Sequence, residues 1–87
     1  MIEVRVMTDD ELVGFYIDCV ESVYRDYTRH VKSFGITDIG RELYKQRIEG
    51  VIAVAMRDYR ATPELFERIL YHASNRQQDI AEEGGEE

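Results

Sequence analysis

The 87-residue sequence predicts an all-α fold, a small three-helix bundle preceded by a short N-terminal β-strand. Three observations predict it. Two helix-start signals, Thr8 followed by Glu11 and Thr62-Pro63-Glu64, stand far apart in the chain. Apolar residues after each of them recur at spacings of three and four, the period of one helix face. Gly35, with Thr37 just beyond it, interrupts that pattern between the two signals and divides the long first stretch into two helices.

Residues 2–6, IEVRV, alternate apolar and charged side chains, which is strand periodicity. Thr8 and Glu11 then form a capping box, each side chain satisfying a backbone donor of the first turn, and Met7 and Leu12 stand where a hydrophobic staple packs. Asp9, Asp10 and Glu11 suit the positive end of a helix dipole. The first helix runs from there to about Lys32, a length of about 38 Å at ~1.5 Å per residue. Its seam is Val13, Tyr16, Val20, Val23, Tyr27, His30 and Phe34, widened by Leu12, Ile17, Cys19, Tyr24 and Val31. A helix this long needs a partner of similar length to cover its seam. Gly35 ends it, because glycine tolerates the left-handed conformation found past a helix C-terminus.

Thr37 or Asp38 caps the second helix, with apolar positions at Leu43, Tyr44, Ile48, Val51, Ile52, Ala55 and Tyr59. Gly50 leaves an alternative, an α+β fold in which residues 51–56, VIAVAM, form a second strand beside IEVRV. The helix is preferred. Continued to about Tyr59 it matches the first helix in length, and Ala53 and Ala55 are poor strand formers. The third helix opens with an N-cap, a proline at its first position and an acid, and buries Leu65, Phe66, Ile69, Leu70, Ala73 and, near its end, Ile80. Residues 1–80 thus read as a single helical domain and residues 81–87, AEEGGEE, as a disordered acidic tail.

Such a short chain buries only about 60–65 % of its unfolded surface, which favours help from a partner or very regular helix packing. The net charge is −7, and the four Glu of residues 81–87 supply more than half of it. Residues 1–24 hold six acids and one Arg, residues 25–47 six bases and three acids, and residues 48–80 five acids and four Arg. The charge is therefore segregated along the chain. A deficit of positive charge argues against duplex DNA, whose phosphates demand a surplus. The opening IEVRVMTDDEL is similar to the start of a ribbon-helix-helix repressor, but that fold implies a short helix, and here about 26 residues separate Thr8 from Gly35. The longest apolar run, residues 51–56, is far short of a membrane span. No basic region leads into an apolar run at the N-terminus, so a cytoplasmic location is expected. Cys19 is the only cysteine and reads as a small core hydrophobe; an internal disulfide is excluded.

No GxGxxG, P-loop, HExxH or CxxC pattern occurs, so no catalytic role, cofactor or metal is expected. His30 reads as a hydrogen-bonded residue at the core edge, and Glu21–Arg25 and Glu64–Arg68 as surface pairs one helical turn apart. The leading expectation is a non-enzymatic interaction module, a regulator, inhibitor or adaptor that binds another protein. Ile2, Val4 and Val6 would supply an interface, most economically in a homodimer, because a lone strand exposes unpaired amides. The alternative is a pocket for a small anion such as a nucleotide. In an antiparallel bundle Arg25, Arg29, Lys32, Arg41, Lys45 and Arg47 ring one pole, with Tyr24, Tyr27 and Tyr44 as stacking faces, and Gly40 would let a phosphate approach the backbone.

The capping box supplies the first test. Thr8→Ala removes an N-cap and costs about 0.5–2 kcal/mol. In a domain this small the melting temperature falls by several degrees, measurable by circular dichroism.

Overall fold

The computed structural model describes residues 6–82, and these form three α-helices: α1 (Asp9–Phe34), α2 (Asp38–Arg57) and α3 (Pro63–Glu82). Each start is built by a threonine. Thr8 Oγ1 accepts the Glu11 amide at 3.1 Å while the Thr8 amide donates to Glu11 Oε1 at 2.9 Å, completing the capping box. Thr37 Oγ1 accepts the Gly40 amide at 2.9 Å, and Thr62 Oγ1 accepts the Leu65 amide at 3.3 Å. Gly35 closes α1 with φ 80°, a backbone angle that side chains resist, and its amide donates to the Val31 carbonyl.

α2 runs unbroken through Gly50, so residues 51–56 are helix and the α+β alternative does not hold. Ile48 and Ile52, on either side of Gly50, are buried, and that packing outweighs the ~1 kcal/mol weakness of a glycine inside a helix. The expected strand at residues 2–6 lies outside the described residues except for Val6, which has no regular structure and is exposed. α1 continues two residues past Lys32 to Phe34, and α2 stops at Arg57. Phe34 is 73 % exposed and Tyr59 95 %, so neither joins the core that the periodicity assigned them to. Phe34 sits in the last turn, beyond the reach of the packed seam, and Tyr59 lies in the turn after α2. Leu43 is also exposed, on the outer side of α2. α3 extends through Ala81 and Glu82, and Ile80 is fully buried.

Cross-helix contacts set the topology. Tyr16, early in α1, meets Asp58 just past α2, while His30, late in α1, stacks on Tyr44 early in α2, so these helices are antiparallel. Arg68 reaches Asp10 and Arg76 reaches Glu21, so α3 runs parallel to α1. The core fills in two clusters. Leu12, Val13 and Tyr16 pack with Ala55, Leu65 and Ile69 at one end. Val20 and Tyr27 pack with Tyr44, Ile48, Ile52, Ala73 and Ile80 towards the other. Val20, Ile48, Ile69 and Ile80 are fully buried, each a contribution of about 1.5–3 kcal/mol.

One polar cluster locks the α2–α3 turn onto α1. Tyr16 Oη donates to Asp58 Oδ2 at 2.6 Å, and Arg60 grips the same carboxylate through its amide, Nε and Nη2 at 2.9, 2.9 and 2.7 Å. The Asp58 side chain is 6 % exposed. Hydrogen bonds from Arg60 and then Tyr16 hold its carboxyl well below the usual carboxylate range. Burial first, and then the bond to Asp58, push the Tyr16 phenol up. Tyr16→Phe keeps the ring but deletes a hydrogen bond to a charged acceptor, at a cost of about 1.5–3 kcal/mol. Denaturant unfolding is expected to show a lower midpoint with an unchanged slope.

Candidate functional site

The bundle brings the end of α1 and the start of α2 to one pole, as the basic stretch requires. Two of the three tyrosines expected to stack a ligand there lie in the core. Tyr27 is 1 % exposed and Tyr44 8 %; their rings meet edge-on at 5.6 Å inside the core, leaving little ring surface for a ligand to stack on. His30 fills the space over Gly40: a Cβ built there would lie 2.9 Å from His30 Nε2 and 2.8 Å from Thr37 Oγ1. Gly40 is thus needed so that the imidazole can seat against the start of α2, between the rings of Phe34 and Tyr44 at 5.0 and 5.5 Å.

The bases themselves diverge. Residues two apart on a helix point to nearly opposite sides, so Lys45 and Arg47 do not share a target. Arg47 lies 4.8 Å above the Tyr44 ring. Arg41 pairs with Asp38, and Lys45 with Glu42 at 3.3 Å. Arg25, Arg29 and Lys32 line the outer face of α1, where Arg29 approaches Asp26 at 3.5 Å. Among the described residues no group of three His, Cys, Asp or Glu is placed to hold a metal, and no helix is long and apolar enough to cross a membrane.

What the same pole does display is apolar. Phe34 is 73 % exposed, Ile36 41 %, Ile39 82 % and Leu43 42 %, four large side chains within ten residues of chain. Ile39 and Leu43 stand one turn apart on α2 and form a shallow groove with Asp38, Glu42 and Gln46. The periodicity had placed Leu43 and Phe34 inside.

A second feature was not foreseen. Glu21 turns away from Arg25 and binds α3 instead. Its Oε2 accepts from Arg76 Nε at 2.7 Å and from His72 Nε2 at 2.6 Å, and its Oε1 from Arg76 Nη2 at 2.8 Å. A carboxylate only accepts, so the His72 hydrogen sits on Nε2. The Arg76 guanidinium also lies 4.1 Å above the Tyr24 ring and pairs with Asp79 at 3.1 Å. Hydrogen bonds from Arg76, and less strongly from His72, lower the Glu21 carboxyl to about 2 against the pull of partial burial. Likewise Arg68 reaches Asp10 at 3.4 Å rather than standing only within its own helix. Such pairings join residues more than fifty positions apart, which no local spacing rule reveals.

Glu21 gives a pH signature with a defined sign. Its folded pKa is depressed from 4.5 to about 2, so its contribution is present above about pH 4.5 and lost as pH falls towards 2. Glu21→Gln is expected to be less stable than wild type at neutral pH, and the gap in melting temperature closes between these two values. A gap that is constant with pH contradicts the assignment. No family model, curated protein or solved structure matches the chain.

Proposed function

We propose that this protein is a non-enzymatic interaction module, a small regulator, inhibitor or adaptor that acts by binding another protein through the apolar corner at the α1–α2 turn. The observation that carries the proposal is the exposure of Phe34, Ile36, Ile39 and Leu43 together. In a domain with so little core, every apolar side chain left in water forgoes stabilisation of about 25 cal/mol per Å². Clustered exposed hydrophobics of this kind are the usual mark of a surface that another macromolecule covers. The corner is also braced by local contacts: Gly35 makes the turn, Thr37 caps α2 and His30 packs against Gly40. A preordered surface loses little entropy on binding. The burial of Tyr27 and Tyr44, and the filling of the space over Gly40, weigh against an anion pocket at this pole.

The test is a comparison of captures from the source cell. Immobilised wild type and Ile39→Glu/Leu43→Glu are exposed to the same lysate, and bound proteins are identified by mass spectrometry. Both positions are exposed, so the variant is expected to keep its helical spectrum and lose the partner. Equal capture by both proteins removes the corner from the interface.

A further inference from the structure

The outer side of α2 is apolar where a surface helix is ordinarily polar. Seven of the eleven exposed large apolar side chains among the described residues lie between Phe34 and Tyr59, on α2 or at its two ends. Along the helix Ile39, Leu43, Gln46, Gly50, Val54 and Arg57 share the side opposite the buried Tyr44, Ile48 and Ile52, and Arg57 is the one charge in that row. The steps from Ile39 to Gly50 are four, three and four, the spacing of helices that pack on one another. Gly50 has no use inside the bundle. A Cβ built there meets nothing within 4 Å, its φ is not positive, and glycine weakens a helix interior. What the missing side chain does offer is close approach from outside. The apolar surface is also divided. Ile39 and Leu43 lie in a groove rimmed by Asp38 and Glu42 at one end of α2, and Val54 and Tyr59 in a groove rimmed by Arg57 and Arg60 at the other.

From this arrangement we infer that the outer side of α2 is a self-complementary docking face, and that its occupant is a second copy of this chain, packed antiparallel about a two-fold axis between Gln46 and Arg47. A two-fold axis that reverses a helix sets each position opposite the one at the same distance beyond the axis. Leu43 of one copy then falls on Gly50 of the other, a large side chain over a missing one, and Ile39 falls on Val54. The symmetry makes each contact twice. Charge follows the same order, since Asp38 and Glu42 approach the end that carries Arg57, which enters no ion pair among the described residues. Both acids also hold bases of their own helix, Asp38 with Arg41 and Glu42 with Lys45. Their side chains are 92 % and 65 % exposed, and a carboxylate has room for a further donor. Arg47 approaches Arg47 beside the axis, a like-charge contact eased by the seat of each guanidinium on its own Tyr44 ring. A parallel pair would leave Gly50 facing Gly50 and set Arg57 against Arg57. The face takes in Ile39 and Leu43 and so rests on the docking role proposed for the apolar corner; a second copy and another protein compete for those two side chains.

The test uses the full-length chain in sedimentation equilibrium, with circular dichroism to follow the helices. Wild type is expected as a monomer–dimer equilibrium. Gly50→Leu places a better helix former in open space, so the monomer keeps its helices, while the room that Leu43 of the second copy needs is filled. Dimerisation is expected to weaken by at least about tenfold. In a Cys19→Ala background, Gln46→Cys is expected to form a disulfide-linked dimer on mild oxidation. Ile39→Cys is not, because the two copies of that position stand on the order of 20 Å apart across the axis at ~1.5 Å per residue. A dimer untouched by Gly50→Leu overturns the inference, as does cross-linking at position 39 as fast as at position 46, the mark of a parallel pair. A monomer at every concentration overturns it too; if Ile39→Glu/Leu43→Glu then still loses its lysate partner, the corner belongs to that other protein and the proposed function stands. A dimer with the expected responses, together with equal lysate capture by wild type and Ile39→Glu/Leu43→Glu, upholds the second copy as occupant and removes the proposed function.

Discussion

The bundle rests on the need to cover one long apolar seam. α1 spans 26 residues, and its inward positions from Leu12 to Tyr27 are buried at both ends of the core. No isolated helix of this kind holds itself together in water; its stability comes from the faces packed on it. α2 and α3 each supply 20 residues and meet α1 on opposite flanks of the seam. Val20, Ile48 and Ile69, one from each helix, have no exposed surface. The polar contacts follow from that geometry. Asp58 finds Tyr16, and Glu21 finds Arg76 and His72, because the core has already set the helices at those distances. Surface ion pairs contribute roughly 0–1 kcal/mol each, too little to direct the fold unaided.

The number of helices, their order and their starts are legible in the sequence, since those features rest on local chemistry. A threonine caps within three residues, and Gly35 closes α1 by its own backbone freedom. Most seam residues of α1 and α3 are legible too, but Phe34 in the last turn of α1 is exposed and Phe66 and Leu70 of α3 are only partly buried. α2 is harder. It carries apolar residues both inward, at Tyr44, Ile48 and Ile52, and outward, at Ile39, Leu43 and Val54. Periodicity alone cannot say which set meets the core, so Leu43 was assigned to the wrong side, while Tyr59 lies past the end of α2 altogether.

The functional surfaces were less legible, for related reasons. The cluster of bases in residues 25–47 is plain in the sequence, but direction around a helix axis is not a property of composition. Folding sends Arg41 to Asp38, Arg47 onto Tyr44, and Arg25 and Lys32 outward along α1. Two of the tyrosines that suggested a stacking site, Tyr27 and Tyr44, are needed inside, where each buries a large ring against the other. Gly40 illustrates the same ambiguity. A glycine at a helix start reads as room for a phosphate, yet here the room belongs to His30. The apolar corner emerges only once the seam is seen to end before Phe34.

Native-state hydrogen exchange tests most directly the claim that all three helices share one core and unfold as a unit. The amides of Val20 in α1, Ile48 in α2 and Ile69 in α3 are the ones to follow. If the core is single, all three exchange only through global unfolding, at one common free energy that matches the value from denaturant titration. If Ile69 exchanges at a free energy well below that of Val20, α3 detaches on its own, and the dependence of the fold on a jointly covered α1 seam is wrong.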